Sequence, residues 1–353
     1  MNILVIHYRY IGDTVLTVPF FRNLRRAEPN ARIVWLHGPG DAEVIKGIPY
    51  VDESILWDPR NGPGRRRAAH GRLSAKLAFI RGLRRRRFDK VYVLKRSFSS
   101  GLLGFLSGAR RRIGFDTEWR RALLTRKISY RLDQHYVENL LDILRADGIA
   151  AADRHLETWL SPEERDFAND FLGRHGIGPG ERIVGIHAFC TKEPRAWHED
   201  DFAAVANELQ RTHGARIILF GGRQDAPRAA VLGGKIHPPP VNAAGATSLR
   251  ESIALLARCR LLVCNDSGIM HLGAALGIPL VAIFGPGSPV KFGPREANAR
   301  IIYRSFPCSP CRQNFFTECV PSARNKPACL ESISVPRVLD AIGTLKVFPP
   351  ANA

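Results

Sequence analysis

The feature that most constrains this chain is a repeated alternation, in which short apolar runs of strand length are separated by stretches with helical spacing. In the first half, Ile3–His7, Ala31–Leu36, Ser54–Trp57 and Lys90–Leu94 read as strands. A helical pattern runs from Val15 to Glu28. Another, Leu73–Arg87, places apolar residues at 73, 77, 80 and 83 against a basic opposite face. The second half restarts the pattern. Arg182–His187, Arg216–Phe220, Leu261–Cys264 and Leu280–Phe284 read as strands; Asp200–His213 (closed by Gly214), Leu249–Ala257 and Ile269–Leu276 read as helices. Strands joined through helices pair in parallel, so the chain is an α/β protein. Domains commonly hold about 100–200 residues, so 353 residues suit two of them. With a loosely patterned stretch near 150–180, the expectation is two Rossmann-like domains with parallel sheets facing across a cleft, residues 1–160 and 161–353. Ser161–Arg174 opens on Ser-Pro-Glu-Glu, a helix start, and reads as linker or domain edge.

Charge is the second constraint. The formal net charge is +19, yet residues 58–131 alone hold 22 Lys/Arg against four Asp/Glu. The excess is regional, and it points to a polyanionic partner: nucleic acid, an anionic membrane surface or a phosphorylated glycan. Solubility is the ordinary alternative. Gly62–Arg67 (GPGRRR) reads as a mobile loop. The arginine runs are interleaved with few aromatic residues and belong to no recognised nucleic-acid module, which disfavours a non-catalytic nucleic-acid binder.

The opening residues MNILVI lack the basic start of a secretory signal, and no apolar run approaches the roughly 18–20 residues that span a bilayer. The expected location is cytoplasmic, with peripheral attachment to a membrane surface left open. Seven cysteines do not suit a secreted disulfide framework. Cys308, Cys311, Cys319 and Cys329 contain one C-x2-C pair but lack the second pair of a zinc ribbon, leaving structural thiols, disulfides or a structural zinc as alternatives. Cys190, Cys259 and Cys264 read as packing residues.

Two loops stand where an open parallel sheet binds its ligands, after the carboxyl ends of strands. In Ile11-Gly12-Asp13-Thr14, Asp13 is a candidate general base, with a helix-capping aspartate as the ordinary alternative. Asn265-Asp266-Ser267-Gly268 precedes a helix carrying His271, and its free N–H groups suit a diphosphate; turn chemistry is the alternative. Phe284-Gly285-Pro286-Gly287-Ser288-Pro289 could let backbone approach a ligand or simply turn the chain. Neither loop has Walker A spacing and no G-x-G-x-x-G follows the first strand, which disfavours a P-loop kinase and a nicotinamide dehydrogenase.

Arg9-Tyr10-Ile11-Gly12-Asp13-Thr14-Val15-Leu16-Thr17-Val18-Pro19, continuing to Leu24-Arg25, resembles the opening of glycosyltransferase family 9, the lipopolysaccharide heptosyltransferases. Asn265-Asp266-Ser267-Gly268-Ile269-Met270-His271-Leu272, then Ala274-Ala275-Leu276-Gly277 and Gly285-Pro286, resembles the family's second hallmark. Val93-Leu94, Ser97-Phe98 and Ser100 are similar to a segment between them. The resemblance implies a GT-B fold, an acceptor bound mainly by the first domain and a nucleotide-sugar by the second. It also implies inversion at the anomeric carbon without an essential metal. It casts Asp13 as catalytic base and places Arg195, Asp225, Asp266, Ser267, Gly268 and His271 at the donor. Arg195 stands where many members carry Lys, which keeps the cation and changes its geometry. Asp225 could meet the ribose or cap a helix. His135 resembles a histidine that meets the acceptor, with a solvent-facing cap as the alternative. Arg96, Arg120 and Arg121 are acceptor candidates by charge alone, against an ordinary solvated basic face. The implied reaction moves heptose from ADP-heptose to the Kdo/heptose–lipid A inner core, at the inner leaflet. The alternative is a related transferase with another donor or acceptor. On this reading residues 58–131 hold the enzyme against an anionic glycolipid surface.

Overall fold

β1 (Asn2–Ile6) is apolar after its first residue and buried from Ile3 onward, as befits a central strand covered on both faces. It pairs in parallel with β2 (Arg32–His37) on one side and β4 (Lys90–Val93) on the other, setting Ile3 opposite Ile33 and Lys90. β3 (Glu53–Leu56), β5 (Arg111–Phe115) and β6 (Arg126–Ile128) complete a parallel sheet in the order β3-β2-β1-β4-β5-β6. The computed structural model describes residues 1–8, 10–59, 68–311, 319 and 322–348, so the arginine-rich loop at 62–67 lies outside the described residues.

Chain contacts divide the molecule into two compact units, Met1–Trp159 and Leu160–Ala353. The second repeats the plan of the first. β7 (Ile183–His187), β8 (Arg216–Leu219), β9 (Val241–Asn242), β10 (Leu261–Asn265), β11 (Leu280–Phe284) and β12 (Ala299–Tyr303) form a parallel sheet ordered β12-β11-β10-β7-β8-β9. Numbered within each unit, both sheets follow the doubly wound order 3-2-1-4-5-6. The order reverses between β1 and β4 in one unit and between β7 and β10 in the other, and these switch points fix where ligands can enter.

Four strands are not evident as apolar runs. β5 begins with two arginines, β6 is Arg-Lys-Ile, β9 has two residues, and β12 alternates with polar positions. Helices Phe98–Leu106, Tyr136–Ala146 and Val335–Thr344 are likewise additions to the sequence reading. Of the two readings of Ser161–Arg174, linker or domain edge, the structure has the second. Helix Pro162–Arg174 is closed by a reciprocal Ser161–Glu164 capping box, and it packs on helix Leu249–Leu256 within the second unit. Glu164 there accepts from the buried Arg250 at 2.9 and 2.6 Å.

In the first unit, helices Val18–Ala27 and Tyr136–Ala146 pack together on one sheet face, where Phe20 meets Tyr92 edge-on. Helices Leu73–Arg85 and Phe98–Leu106 pack together on the other, over Leu4, Ile6, Val91 and Val93. Leu83 and Leu103 anchor them there, each buried side chain contributing about 1.5–3 kcal/mol. Gly104 lets the second helix settle on β4, since a Cβ would come within 2.9 Å of Val93. Among the described residues, no helix is long and apolar enough to cross a membrane.

Candidate functional site

In the first unit the switch-point loops follow β1 and β4. The helix after β1 starts earlier than the sequence pattern indicates, at Ile11, and runs to Val15. Its N-cap is Tyr10, so Asp13 is the third residue of the first turn and not the cap. A carboxylate there gains from the helix dipole, and Asp13 remains half-buried, accessible at the carboxyl end of the sheet. The following residue fixes the turn: Thr14 Oγ1 donates to Asp41 at 3.3 Å, and Asp41 accepts the Gly38 N–H at 2.8 Å.

The β4 loop is built on cations. Lys95 Nζ lies 3.8 Å from the Tyr8 ring centroid, and the Arg96 guanidinium lies 4.0 Å from that of Tyr130. Arg120 is fully buried, unlike a residue of a solvated basic face. Its Nε donates to the Phe115 carbonyl at 2.6 Å, and its Nη1 donates to the Lys95 carbonyl and to Ser100 Oγ. Burial pushes its pKa down to about 10, with the charge of Arg96 adding to the effect against Glu118 and Asp116. Arg120 thus holds the loop of Lys95 and Arg96 from beneath. Arg121 is exposed, near Asp116 at 3.7 Å.

His135 caps helix Tyr136–Ala146 by accepting the Val137 N–H on Nδ1 at 3.3 Å. The cap is buried, not solvent-facing. The next residue, Tyr136, bonds through its hydroxyl to His7 Nε2 at 3.2 Å, which brings this helix start to the end of β1.

In the second unit the switch point gathers most of the donor candidates. Asn265, buried at the end of β10, ties three segments: its Nδ2 donates to the Ala188 carbonyl at 2.9 Å, and its Oδ1 accepts the Trp197 N–H at 3.0 Å. That clamp places Arg195, whose Nη1 lies 3.4 Å from Asp266 Oδ2. Ser267 is the extended N-cap of helix Gly268–Ala275, and its Oγ sits 3.3 Å from His187 Nδ1. Burial pushes His187 down to about 4, against the charge of Asp225, so the ring is neutral at pH 7. His271 lies one turn into the helix and is buried. Asp225 takes the capping role at Gly222: its Oδ2 accepts the Gly222 N–H at 2.8 Å at the start of the short 3-10 helix Arg223–Asp225, and it gives helix Ala226–Gly233 no side-chain cap.

The sequence reading did not single out Asn265, His187 or Gly287 as site residues. Gly287 is required by shape, since a Cβ would fall 2.2 Å from Asp266 Oδ2. Cys190 also lies beside this group. Burial and then the Asp266 charge push its thiol up to about 12, which makes it an inert packing residue at neutral pH. Cys308, Cys311, Cys319 and Cys329 are all described, and among the described residues no group of three or more His, Cys, Asp or Glu is placed to hold a metal ion.

Two loops at two switch points, one presenting a carboxylate and the other a helix start beside an arginine, suit proton removal and diphosphate binding. The chain is similar to lipopolysaccharide heptosyltransferase 2 of Escherichia coli (strain K12), 29% identical over 86% of this chain and 88% of that one. It superposes on the glycosyl transferase family 9 structure from Veillonella parvula DSM 2008 with a TM-score of 0.84 and 25% identity, covering 98% and 96% of the two chains. For the E. coli ADP-heptose lps heptosyltransferase II structure the TM-score is 0.77 at 24% identity, covering 98% of each chain. The profile of Glycosyltransferase family 9 (heptosyltransferase) matches residues 76–318. The chain has the GT-B fold and belongs to glycosyltransferase family 9, the heptosyltransferase family.

Proposed function

We propose that this glycosyltransferase moves a heptose from ADP-heptose to the inner core of lipopolysaccharide, with inversion at the anomeric carbon. The observation that carries the reading is the pairing of Arg195 with Asp266 beside the start of helix Gly268–Ala275. A leaving diphosphate needs fixed positive potential, and a guanidinium next to first-turn N–H groups supplies it without reorganisation. Asp266 orients Arg195, Ser267 and Gly268 offer donors, His271 supports the helix start from within, and Asp225 meets the ribose. Asp13 removes the proton of the acceptor hydroxyl. The acceptor oxygen then forms its bond to C1 as the C1–O bond to phosphate breaks, and ADP leaves with the electron pair. Arg96 and His135 lie on the acceptor side, while Arg120 positions the Arg96 loop. No essential metal enters the reaction, and the enzyme works at the cytoplasmic face of the inner membrane. The relatives named for lipopolysaccharide and ADP-heptose support this choice of substrates.

The test is incubation with ADP-heptose and a series of truncated lipopolysaccharide acceptors in the presence of a chelator, followed by mass spectrometry. Addition of one heptose mass to a Kdo- or heptose-terminated acceptor is expected. Transfer from a different nucleotide-sugar, with ADP-heptose inert, would point to the related transferase instead.

A further inference from the structure

The first unit is lopsided. On the sheet face under helices Val18–Ala27 and Tyr136–Ala146, outward charge is paired: Arg26 meets Asp153, and Arg145 meets Glu138 and Asp142. On the opposite face, helices Leu73–Arg85 and Phe98–Leu106 lie together, and Gly108 rests against the Arg84 side chain. A helix covering a sheet normally turns polar side chains outward. These two turn apolar side chains outward as well. Leu73 and Leu77 are 72% and 44% exposed, and Phe98, Leu102 and Phe105 are 45%, 37% and 47% exposed at i, i+4 and i+7.

Cations surround this apolar stripe. Arg72, Arg81, Arg84 and Arg85 are exposed along the first helix, and the Arg112 guanidinium lies 5.3 Å from the Phe105 ring centroid. Glu118 accepts the Phe98 N–H at 2.9 Å, which sets the next residue, Trp119, beside the start of the second helix; Trp119 is 97% exposed. Exposed Leu, Phe and Trp flanked by Arg is the chemistry of a surface that enters the boundary between lipid headgroups and acyl chains.

We propose that this two-helix face docks on an anionic phospholipid bilayer, with the apolar stripe entering the boundary region and the arginines pairing with lipid phosphates. Charge complementarity supports the occupant, since Arg72, Arg81, Arg84 and Arg85 are all exposed along the first helix. Nucleic acid would use the arginines but gains nothing from outward Leu73 and Leu77. Crossover helices begin at the carboxyl ends of parallel strands, so Leu73, Phe98 and Trp119 share the end of the sheet that bears Asp13. Docking there holds the base next to the bilayer from which a glycolipid projects. The proposal rests on the lipid-borne acceptor for its purpose, while its test reads binding alone.

The full chain is sedimented with phosphatidylcholine vesicles, with or without about one quarter phosphatidylglycerol, at about 0.1 M salt. Anionic vesicles should bind at least about tenfold more tightly than neutral ones. Arg81→Glu with Arg85→Glu should lower that binding by about tenfold or more, and Leu77→Ser with Phe105→Ser by about fivefold or more. Equal binding to both vesicle types, wild-type binding by either pair, or release by duplex DNA at equal phosphate overturns the proposal. Vesicle binding as expected without heptose transfer would overturn the proposed reaction and leave the docking surface standing. Transfer to a detergent-solubilised acceptor with no vesicle binding would overturn the docking surface alone.

Discussion

At the scale of single residues, position within a turn decides what a side chain can do. Asp13 sits at the third helical position after Tyr10, where its carboxylate gains about 0.3–1 kcal/mol from the helix dipole at most. Asp13→Asn keeps the shape and should leave the melting temperature nearly unchanged. If the carboxylate is the base, turnover should fall by at least about 100-fold while ADP binding holds. Near-normal turnover would remove Asp13 from that role. Gly287 makes a sharper steric case, because its missing Cβ is the space in which the Asp266 carboxylate lies, 2.2 Å from where that atom would stand. Gly287→Ala should push Asp266 away from Arg195 and raise the donor KM by about tenfold or more, roughly 1.4 kcal/mol, with little change in acceptor KM. An unchanged donor KM would mean that the Arg195–Asp266 pair does not shape the donor site. Asp13 and Asp266 were singled out in the sequence because each lies between an apolar run and a helical pattern. Gly287 was visible only as part of a glycine-rich loop that could approach a ligand or turn the chain, since the carboxylate it makes room for follows a different strand.

At the scale of elements, the donor loop is held by a segment far along the chain. Trp197 is buried, and its Nε1 donates to the Ile333 carbonyl at 3.1 Å. The short helix Ala328–Glu331 ends on a carboxylate that accepts from Arg324 and Ser322, each at 2.7 Å, and lies 2.8 Å from His198 Nε2. Partial burial raises the Glu331 pKa, but the bonds from Arg324, Ser322 and His198 outweigh it and hold the group at about 2, below its ordinary 4.5. A depressed carboxylate stabilises the fold fully above its unfolded pKa and loses that contribution as pH falls through the folded value. Glu331 therefore contributes on the order of 2 kcal/mol at neutral pH, after allowance for its partial exposure, and the contribution drains away from about pH 4.5 towards pH 2. Denaturant melts of wild type and Glu331→Gln should differ at pH 7 and converge near pH 2. A gap of the same size at both would show that the carboxylate charge is not what braces this element. No sequence pattern announces such a brace, because the link back to the donor loop joins His198 to Glu331 and Trp197 to Ile333, pairs 133 and 136 residues apart that share no periodicity.

At the scale of the whole molecule, each unit has a six-stranded sheet and a core of its own. The second has a complete six-stranded sheet, and one core cluster runs from Val184 to Val347. Arg195, Asp225, Asp266, Ser267, Gly268 and His271 all lie within it. The doubly wound plan was legible from β1, β2, β4, β7, β8, β10 and β11, whose apolar runs are long because helices cover both faces. The peripheral strands β5, β6, β9 and β12 were not, because less burial asks fewer apolar residues of them. Helix Pro162–Arg174 was left open between linker and domain edge for a related reason. Its hold on the second unit includes the charged pair Glu164–Arg250, which hydrophobic spacing does not register. If the second unit is self-sufficient, residues 160–353 produced alone should unfold cooperatively and bind ADP within about tenfold of the full chain, a loss below roughly 1.4 kcal/mol. That fragment should transfer no sugar, because Asp13 lies outside it, and Asp266→Ala within it should abolish ADP binding. A folded fragment that binds ADP about 100-fold more weakly than the full chain would sink the idea, because the donor residues named here would then be insufficient to hold the nucleotide.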